Sequence, residues 1–215
     1  MTAQPLKRNL FEQLTQVSKA LGQSNRLMIL DILSQGECDV DTLHHKLELS
    51  MANVSKHLQN LKQAGLVISR REGQHIIYAL SDPSVFRLIV SLREVAETQL
   101  DEMRTLLEEH IKPNTPLEPI SLNALKKIER EKQPFTLLDV RPHDEFTAGH
   151  LPNAINVPIE DLSKSITHFN QNNLLIVYCR GPYCMWSQEA VESLLDKGFK
   201  AKRLLEGYPE WQAQQ

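Results

Sequence analysis

Three cysteines stand in the chain, Cys38, Cys179 and Cys184, too few for a disulfide scaffold and so available as thiols for chemistry. Cys179 is the strongest candidate nucleophile. It follows directly on the apolar run Leu174-Leu-Ile-Val-Tyr178 and precedes a helical pattern. A loop in that position can curl its backbone N–H groups around the sulfur, and the helix N-terminus adds partial positive charge. Arg180 adds a full one. All three favour the thiolate, the form of cysteine that attacks.

A second set of residues has the types needed to read nucleic acid. Asn53, Ser55, Lys56, Gln59, Asn60 and Gln63 project from a helix over 51–64 whose Val54, Leu58 and Leu61 turn the other way. Amide side chains can read adenine edges, while lysine and serine can bind phosphate or guanine. From Ser50 to Tyr78 the charges are Lys56, Lys62, Arg70 and Arg71 against Glu72 alone, an excess of +3, with His57 and His75 added. The segment Arg70–His75, with Arg71, could reach the flanking backbone or the minor groove. Taken alone, the same face is that of an ordinary polar helix.

The elements that would position these residues follow from periodicity. Leu6, Leu10, Leu14, Val17 and Leu21 form one apolar stripe of a first helix. Ser24-Asn25 offers a cap for a second, carrying Leu27, Ile29, Leu30 and Leu33 and stopped by Gly36. A short helix follows around Asp41–Leu47, and Ser50 can cap the helix that Gly65 ends. Leu66–Arg71 and His75–Leu80 read as strands joined through Glu72-Gly73-Gln74. One long helix is expected from Pro83 to about His110, with Val85, Leu88, Leu92, Val95, Met103 and Leu106 along a seam that suits a dimer contact. Helix, helix, short turn, capped helix and hairpin is the order of a winged helix-turn-helix. Three prolines within 111–119 then mark a stiff linker. Beyond it, Thr136–Val140 and Leu174–Tyr178 read as buried parallel strands, and Glu189–Lys197 as an amphipathic helix ended by Gly198, which makes an α/β domain. The expected division is 1–111, a linker at 112–119, and 120–215.

At 215 residues the chain is long enough for two such domains, and 41% hydrophobic with 24% charged residues is the composition of a soluble globular protein. The net charge of −3 excludes a globally basic nucleic-acid binder, so the positive charge must act locally. No apolar run approaches the ~20 residues of a membrane span. The N-terminus leads into an amphipathic pattern, not the apolar core of a signal peptide. A cytoplasmic protein with no membrane partner is expected.

Two resemblances sharpen this reading. Asn25-Arg-Leu-Met-Ile-Leu, Val54-Ser-Lys-His-Leu, Ala64-Gly-Leu-Val and Arg70-Arg-Glu-Gly-Gln-His-Ile-Ile-Tyr resemble the arsenic-repressor (ArsR) family over about 6–110. The resemblance implies a homodimer on double-stranded DNA, with two recognition helices in adjacent major grooves of a palindromic operator, usually as a repressor. The metal sensors of that family carry a paired-cysteine box; here the stretch is Glu37-Cys-Asp-Val-Asp-Thr-Leu43, with Asp39 and Asp41 at the cysteine positions. No metal site and no cofactor are expected, and Cys38 reads as a small buried hydrophobe.

Leu138-Asp-Val-Arg-Pro-His-Asp-Glu-Phe, Gly149-His-Leu-Pro-Asn-Ala, Val177-Tyr-Cys-Arg-Gly-Pro-Tyr-Cys and Leu205-Glu-Gly-Tyr-Pro-Glu-Trp211 resemble the rhodanese family over about 118–213. That family passes a sulfane sulfur through a cysteine persulfide, which here implies Cys179, with thiosulfate or polysulfide as donor. Phosphatases of similar topology place an arginine six residues after the cysteine; Met185 stands there, which disfavours phosphoryl chemistry. Cys184 can resolve a persulfide or sulfenate at Cys179 as a disulfide, or be inert. Asp139, Arg141 and His150 read as structural. The expected whole is a winged helix-turn-helix followed by a rhodanese-like parallel-sheet domain, acting as a regulator that senses or transfers sulfane sulfur. The alternatives are an active sulfurtransferase with an accessory DNA-binding domain, or an inactive binding module.

Overall fold

The computed structural model describes residues 3–111 and 119–215, so the expected linker at 112–119 lies, Pro119 apart, outside the described residues. The chain divides into two compact units, Met1–Leu92 and Arg93–Gln215.

The first unit holds α1 (Ala3–Leu21), α2 (Ser24–Gln35), β1 (Cys38–Asp39), α3 (Val40–Leu47), α4 (Met51–Gln63), β2 (Val67–Glu72), β3 (His75–Leu80) and the first turns of α5 (Pro83–Gln99). Its core gathers Ile29, Leu30 and Leu33 of α2, Leu43 of α3, Val54, Leu58 and Leu61 of α4, and Val85 and Ile89 of α5. Helix α4 begins where the sequence places it, because the Ser50 hydroxyl accepts a hydrogen bond from the Asn53 amide. It ends at Gly65, whose φ of +73° only glycine adopts without strain. Helix α2 is capped one residue earlier than expected: the Gln23 side chain accepts from the Arg26 amide, and Ser24 is already helical. The three strands form an antiparallel sheet of order β1-β3-β2, with Glu72 opposite His75 across a two-residue turn at Gly73-Gln74.

The single long helix expected from Pro83 to His110 is two helices, α5 and α6 (Asp101–His110), separated at an extended Leu100. The Thr98 hydroxyl donates to the Glu94 and Val95 carbonyls, a local bond that competes with the helix ladder. Asp101 and Glu102 then suit a new helix start, where the dipole favours acids.

The second unit is a four-stranded, wholly parallel sheet of order β5-β4-β6-β7. After α7 (Leu122–Arg130) come β4 (Phe135–Asp139), α8 (His143–Ala148), β5 (Ile155–Asn156), the short α9 (Leu162–Ser165), β6 (Leu174–Tyr178), α10 (Trp186–Asp196), β7 (Lys200–Arg203) and α11 (Tyr208–Gln212). Alternate residues of the central strands serve two cores. Leu138, Leu175 and Val177 meet α9 and α10 on one face, while Leu137, Ile176 and Tyr178 meet α7 on the other. Coverage of both faces is what allows β4 and β6 to be continuous apolar runs. The observed order, a helical winged helix-turn-helix and then a rhodanese-like parallel-sheet domain, is the one expected.

Candidate functional site

Cys179 lies one residue beyond β6, at the carboxyl ends of the parallel strands, where open α/β sheets place their ligand crevices. It is 1% exposed. Residues 180–185 form the loop that leads into α10, and Cys184 on that loop is joined to Cys179 by a disulfide, with Cα atoms 6.2 Å apart. The loop is tightened by the Cys184 amide donating to the Gly181 carbonyl at 3.1 Å.

The loop rests on the segment after β7. A Cβ at Gly207 would fall 2.6 Å from the Cys179 carbonyl oxygen and 2.7 Å from that of Arg180, so only glycine lets the two backbones meet. The Gly207 amide donates to Glu210, whose other oxygen accepts from Arg93 at 2.8 Å, and Glu210 also borders Gly181. The Tyr183 hydroxyl donates to Glu97 at 2.5 Å, and the Arg93 guanidinium lies over the Tyr183 ring.

Arg180 does not serve the sulfur as a lone cation. Its guanidinium donates to both oxygens of the nearly buried Glu145, at 2.9 and 2.6 Å, and stacks on Trp186. A carboxylate 35 residues upstream in sequence therefore balances the charge that the sequence assigns to the nucleophile. The cation bonded to the loop's backbone is Arg203 at the end of β7, which sequence reasoning missed. It donates to the Pro182 carbonyl at 2.7 Å, the Cys184 carbonyl at 3.1 Å and the Ser187 hydroxyl at 3.1 Å. Strand alternation was the available signal, since it puts Arg203 on the buried face with Ala201.

Asp139 and Arg141 form a fully buried pair, both side chains at 0% exposure. Arg141 donates two hydrogen bonds to Asp139 from Nε and one from Nη2, and another to the Gly149 carbonyl. It also lies over the Tyr178 and Tyr208 rings, 5.7 Å from each centroid. This pair ties the end of β4 to the loop before Leu151. His150 stacks on Phe146 and faces its carbonyl, also a structural placement.

In the first unit, α4 exposes Asn53, Lys56 and Gln59, while Ser55 and Asn60 are half-buried. Lys62 donates to Ser69 at 2.7 Å, fastening α4 to β2. His57 sits differently from its neighbours. It is half-buried, and its Nδ1 is buried without a hydrogen-bond partner among the described residues. Burial, with the Arg26 and Lys56 charges, holds its imidazole below the usual histidine range, so it adds no cation to the face at neutral pH. The spacing carried this signal: His57 stands three residues after Val54 and four before Leu61, on the apolar side.

The wing cations are mostly answered by acids. Arg70 bonds to both Glu37 and Glu72, and its hydrogen bonds hold the Glu37 carboxyl below its ordinary range. Arg71, exposed, donates from Nε to the Gly73 carbonyl. His75 meets Asp39 at 2.8 Å. Asp39 is the cap of α3, accepting from the Thr42 amide and hydroxyl, so its carboxylate is held by the fold. Cys38 is half-buried against the first core. Among the described residues no group of three or more His, Cys, Asp or Glu side chains is arranged to hold a metal ion. No described helix is long and apolar enough to cross a membrane.

The chain is similar to proteins of two kinds. The family model described as a rhodanese-like domain matches residues 121–214, and that for bacterial regulatory proteins of the arsR family matches residues 23–69. The HTH-type transcriptional regulator Rv0324 of Mycobacterium tuberculosis is 37% identical over 205 residues, covering 95% of this chain and 89% of that protein. The biofilm growth-associated repressor of Agrobacterium fabrum is 39% identical over 74 residues, 34% of this chain and 63% of its own length. The transcriptional activator HlyU of Vibrio cholerae is 39% identical over 77 residues, 36% of this chain and 71% of its own.

Proposed function

Since the chain belongs to the arsR family of bacterial transcriptional regulators and carries a rhodanese-like domain, we propose that it is a DNA-binding repressor whose cysteine loop takes up sulfane sulfur and reports that state to its operator. The observation that carries the proposal is the bond between Cys179 and Cys184 at the end of β6.

The chemistry balances with thiosulfate as donor. The Cys179 thiolate attacks the outer sulfur; the S–S bond of thiosulfate breaks, and sulfite leaves with the electron pair. Cys179 now bears a persulfide anion. The Cys184 thiol attacks the Cys179 sulfur, and the outer sulfur departs as hydrosulfide, taking the thiol proton. Two cysteines are oxidised to the disulfide, and one sulfane sulfur is reduced. Because Cys184 competes in place with any outside acceptor, this pair favours a sensor over a sulfurtransferase, which is the second reading. Reduced protein given thiosulfate and cyanide is expected to release about one equivalent of sulfite per chain and then stop, with the disulfide closed. Continuous release with thiocyanate formation would make it a sulfurtransferase.

DNA is read by α4 and the wing, with Asn53, Gln59 and Asn60 at base edges and Ser55, Lys56 and Arg71 at the backbone. Lys56→Ala should weaken binding to all sequences and lower the slope of log affinity on log salt by about one. Glu37→Gln should act in the reverse direction, raising the slope by less than one, because it removes one of the two carboxylates that answer Arg70 and leaves Glu72 in place. Titrations by fluorescence anisotropy across salt concentrations measure both; identical slopes for wild type and the two variants would refute the assignment.

The operator is palindromic and the protein a homodimer. In the first unit Leu10 and Leu14 of α1 are 58% and 60% exposed, on the stripe that the sequence marks as apolar. An uncovered leucine row of this kind calls for a partner surface, and a second copy supplies one. Leu14→Glu should shift the protein to monomer in sedimentation and reduce operator affinity at least tenfold. A monomeric wild type would remove this part of the reading.

A further inference from the structure

We propose that Arg203 is the positioning residue of the sulfur site: it holds the cysteine loop by its carbonyls and supplies the positive charge that the loop's thiolate or persulfide anion balances. The proposal rests on the sulfur-handling reading for the identity of the anion, though not for the charge itself.

The Arg203 side chain is buried, at 3% exposure. Every hydrogen bond it makes goes to a neutral oxygen: the Pro182 and Cys184 carbonyls, the Ser187 hydroxyl, and the Ile111 carbonyl at 3.3 Å. It forms no salt bridge among the described residues. Burial accordingly pushes its guanidinium below the ordinary arginine range, with no acid opposing the shift. A guanidinium keeps its proton in a protein, so it cannot escape the cost of burial by becoming neutral. An unpaired charge in such a place is costly. An apolar side chain beside Ala201 on the same face of β7 would avoid that cost, so the cation needs another explanation.

The charges around the loop supply it. From α8, Glu145 is matched to Arg180; from α11, Glu210 is matched to Arg93 of α5. Beneath them Asp139 is matched to Arg141. Glu97 of α5 is held on the Tyr183 hydroxyl at the exposed rim, where water screens it. Glu206, beside Gly207, accepts from the Leu122 amide, and burial pushes its carboxyl toward the neutral form. Among the described residues Arg203 has no counter-charge, and it is bonded to the backbone of Cys184 itself. While the disulfide is closed, no described group at the loop answers it. Reduction of the disulfide followed by ionisation of one thiol supplies the missing negative charge, and so does a persulfide on Cys179. Arg203 thereby poises the open loop as an anion. Its guanidinium also fastens the Pro182 and Cys184 carbonyls, which fixes the backbone of the loop.

The test is the ionisation of the loop thiol in the full-length reduced protein, read as the pH dependence of alkylation by iodoacetamide and assigned by peptide mass. The wild-type loop thiol should titrate at least about one unit below the ordinary value near 8.5. Arg203→Gln should return it upward by about one unit, seen as alkylation slowed about tenfold at pH 7. Arg203→Lys, which keeps the charge and loses the fork, should retain most of the depression. A merely structural arginine would change stability in these variants without moving the titration. A folded Arg203→Gln protein with the wild-type profile overturns the proposal. Should that variant fail to fold, Arg203→Lys and wild type decide: a depressed midpoint in both supports the assignment, and an ordinary midpoint in either overturns it. Sulfur uptake from thiosulfate is read separately, by intact mass. Its failure alongside a depressed, Arg203-dependent midpoint removes the sulfur-handling reading and leaves the charge assignment standing.

Discussion

Cys179→Ser takes up no sulfur from thiosulfate or polysulfide in the outcome expected here, whereas the wild-type protein ends with its loop disulfide closed. The serine hydroxyl is nearly isosteric with the thiol, but it does not ionise at neutral pH and makes no persulfide, so the loss is complete and not graded. Cys184→Ser separates the two steps. Without the second thiol the persulfide cannot resolve, and Cys179 should retain one added sulfur mass that dithiothreitol removes. Basal DNA affinity should be unchanged in both variants, because the residues proposed to read DNA belong to the other compact unit. Intact-mass spectrometry after donor treatment checks the first two statements, and anisotropy checks the third. Sulfur found on Cys38 or Cys184 in the Cys179→Ser protein would show that the nucleophile has been misassigned.

Asp139→Asn is expected to destabilise the second unit by roughly 3–5 kcal/mol, a large share of the 5–15 kcal/mol typical of a domain. The amide fills the same space and still accepts hydrogen bonds, so packing is not what is lost. What is lost is the negative charge of the bonded partner, facing an Arg141 guanidinium that is itself at 0% exposure. The Tyr178 and Tyr208 rings offer some cation–π compensation, but only on the order of 1–2 kcal/mol. Both tryptophans of the chain, Trp186 and Trp211, lie in this unit, so urea unfolding followed by tryptophan fluorescence reports it selectively. A change under 1 kcal/mol would mean that water or a shifted acid relieves the buried charge.

The elements that position the sites were legible because their signals are local. Ser50 caps α4 three residues away, Gly65 and Gly73 take backbone conformations that suit glycine, and Cys179 follows its strand directly. The charges around the sites were not legible, because their partners are remote in sequence. Glu145 answers Arg180 from 35 residues away and Glu37 answers Arg70 from 33, so a count of cations along the chain overstated the charge available to both sulfur and DNA. Arg203 was not legible because Lys200-Ala-Lys-Arg203, with three cations in four residues, does not read as a buried strand, and only the sheet shows its burial. The break at Leu100 also lay below the resolution of periodicity, since the apolar spacing runs on through it. His57 is the instructive case. Its residue type suggested a groove contact, while its spacing from Val54 and Leu61 already placed it on the inner face.

The central claim is that sulfur at Cys179 alters DNA binding, and one titration tests it directly. A duplex selected from a random pool by the reduced full-length protein is titrated by anisotropy with that protein before and after polysulfide treatment, the modification being verified as complete by intact mass. The account predicts a change in affinity of at least about fivefold, the lower bound of ordinary allosteric coupling, that is absent from Cys179→Ser and reversed by dithiothreitol. Complete modification at Cys179 with identical affinity before and after treatment would contradict it.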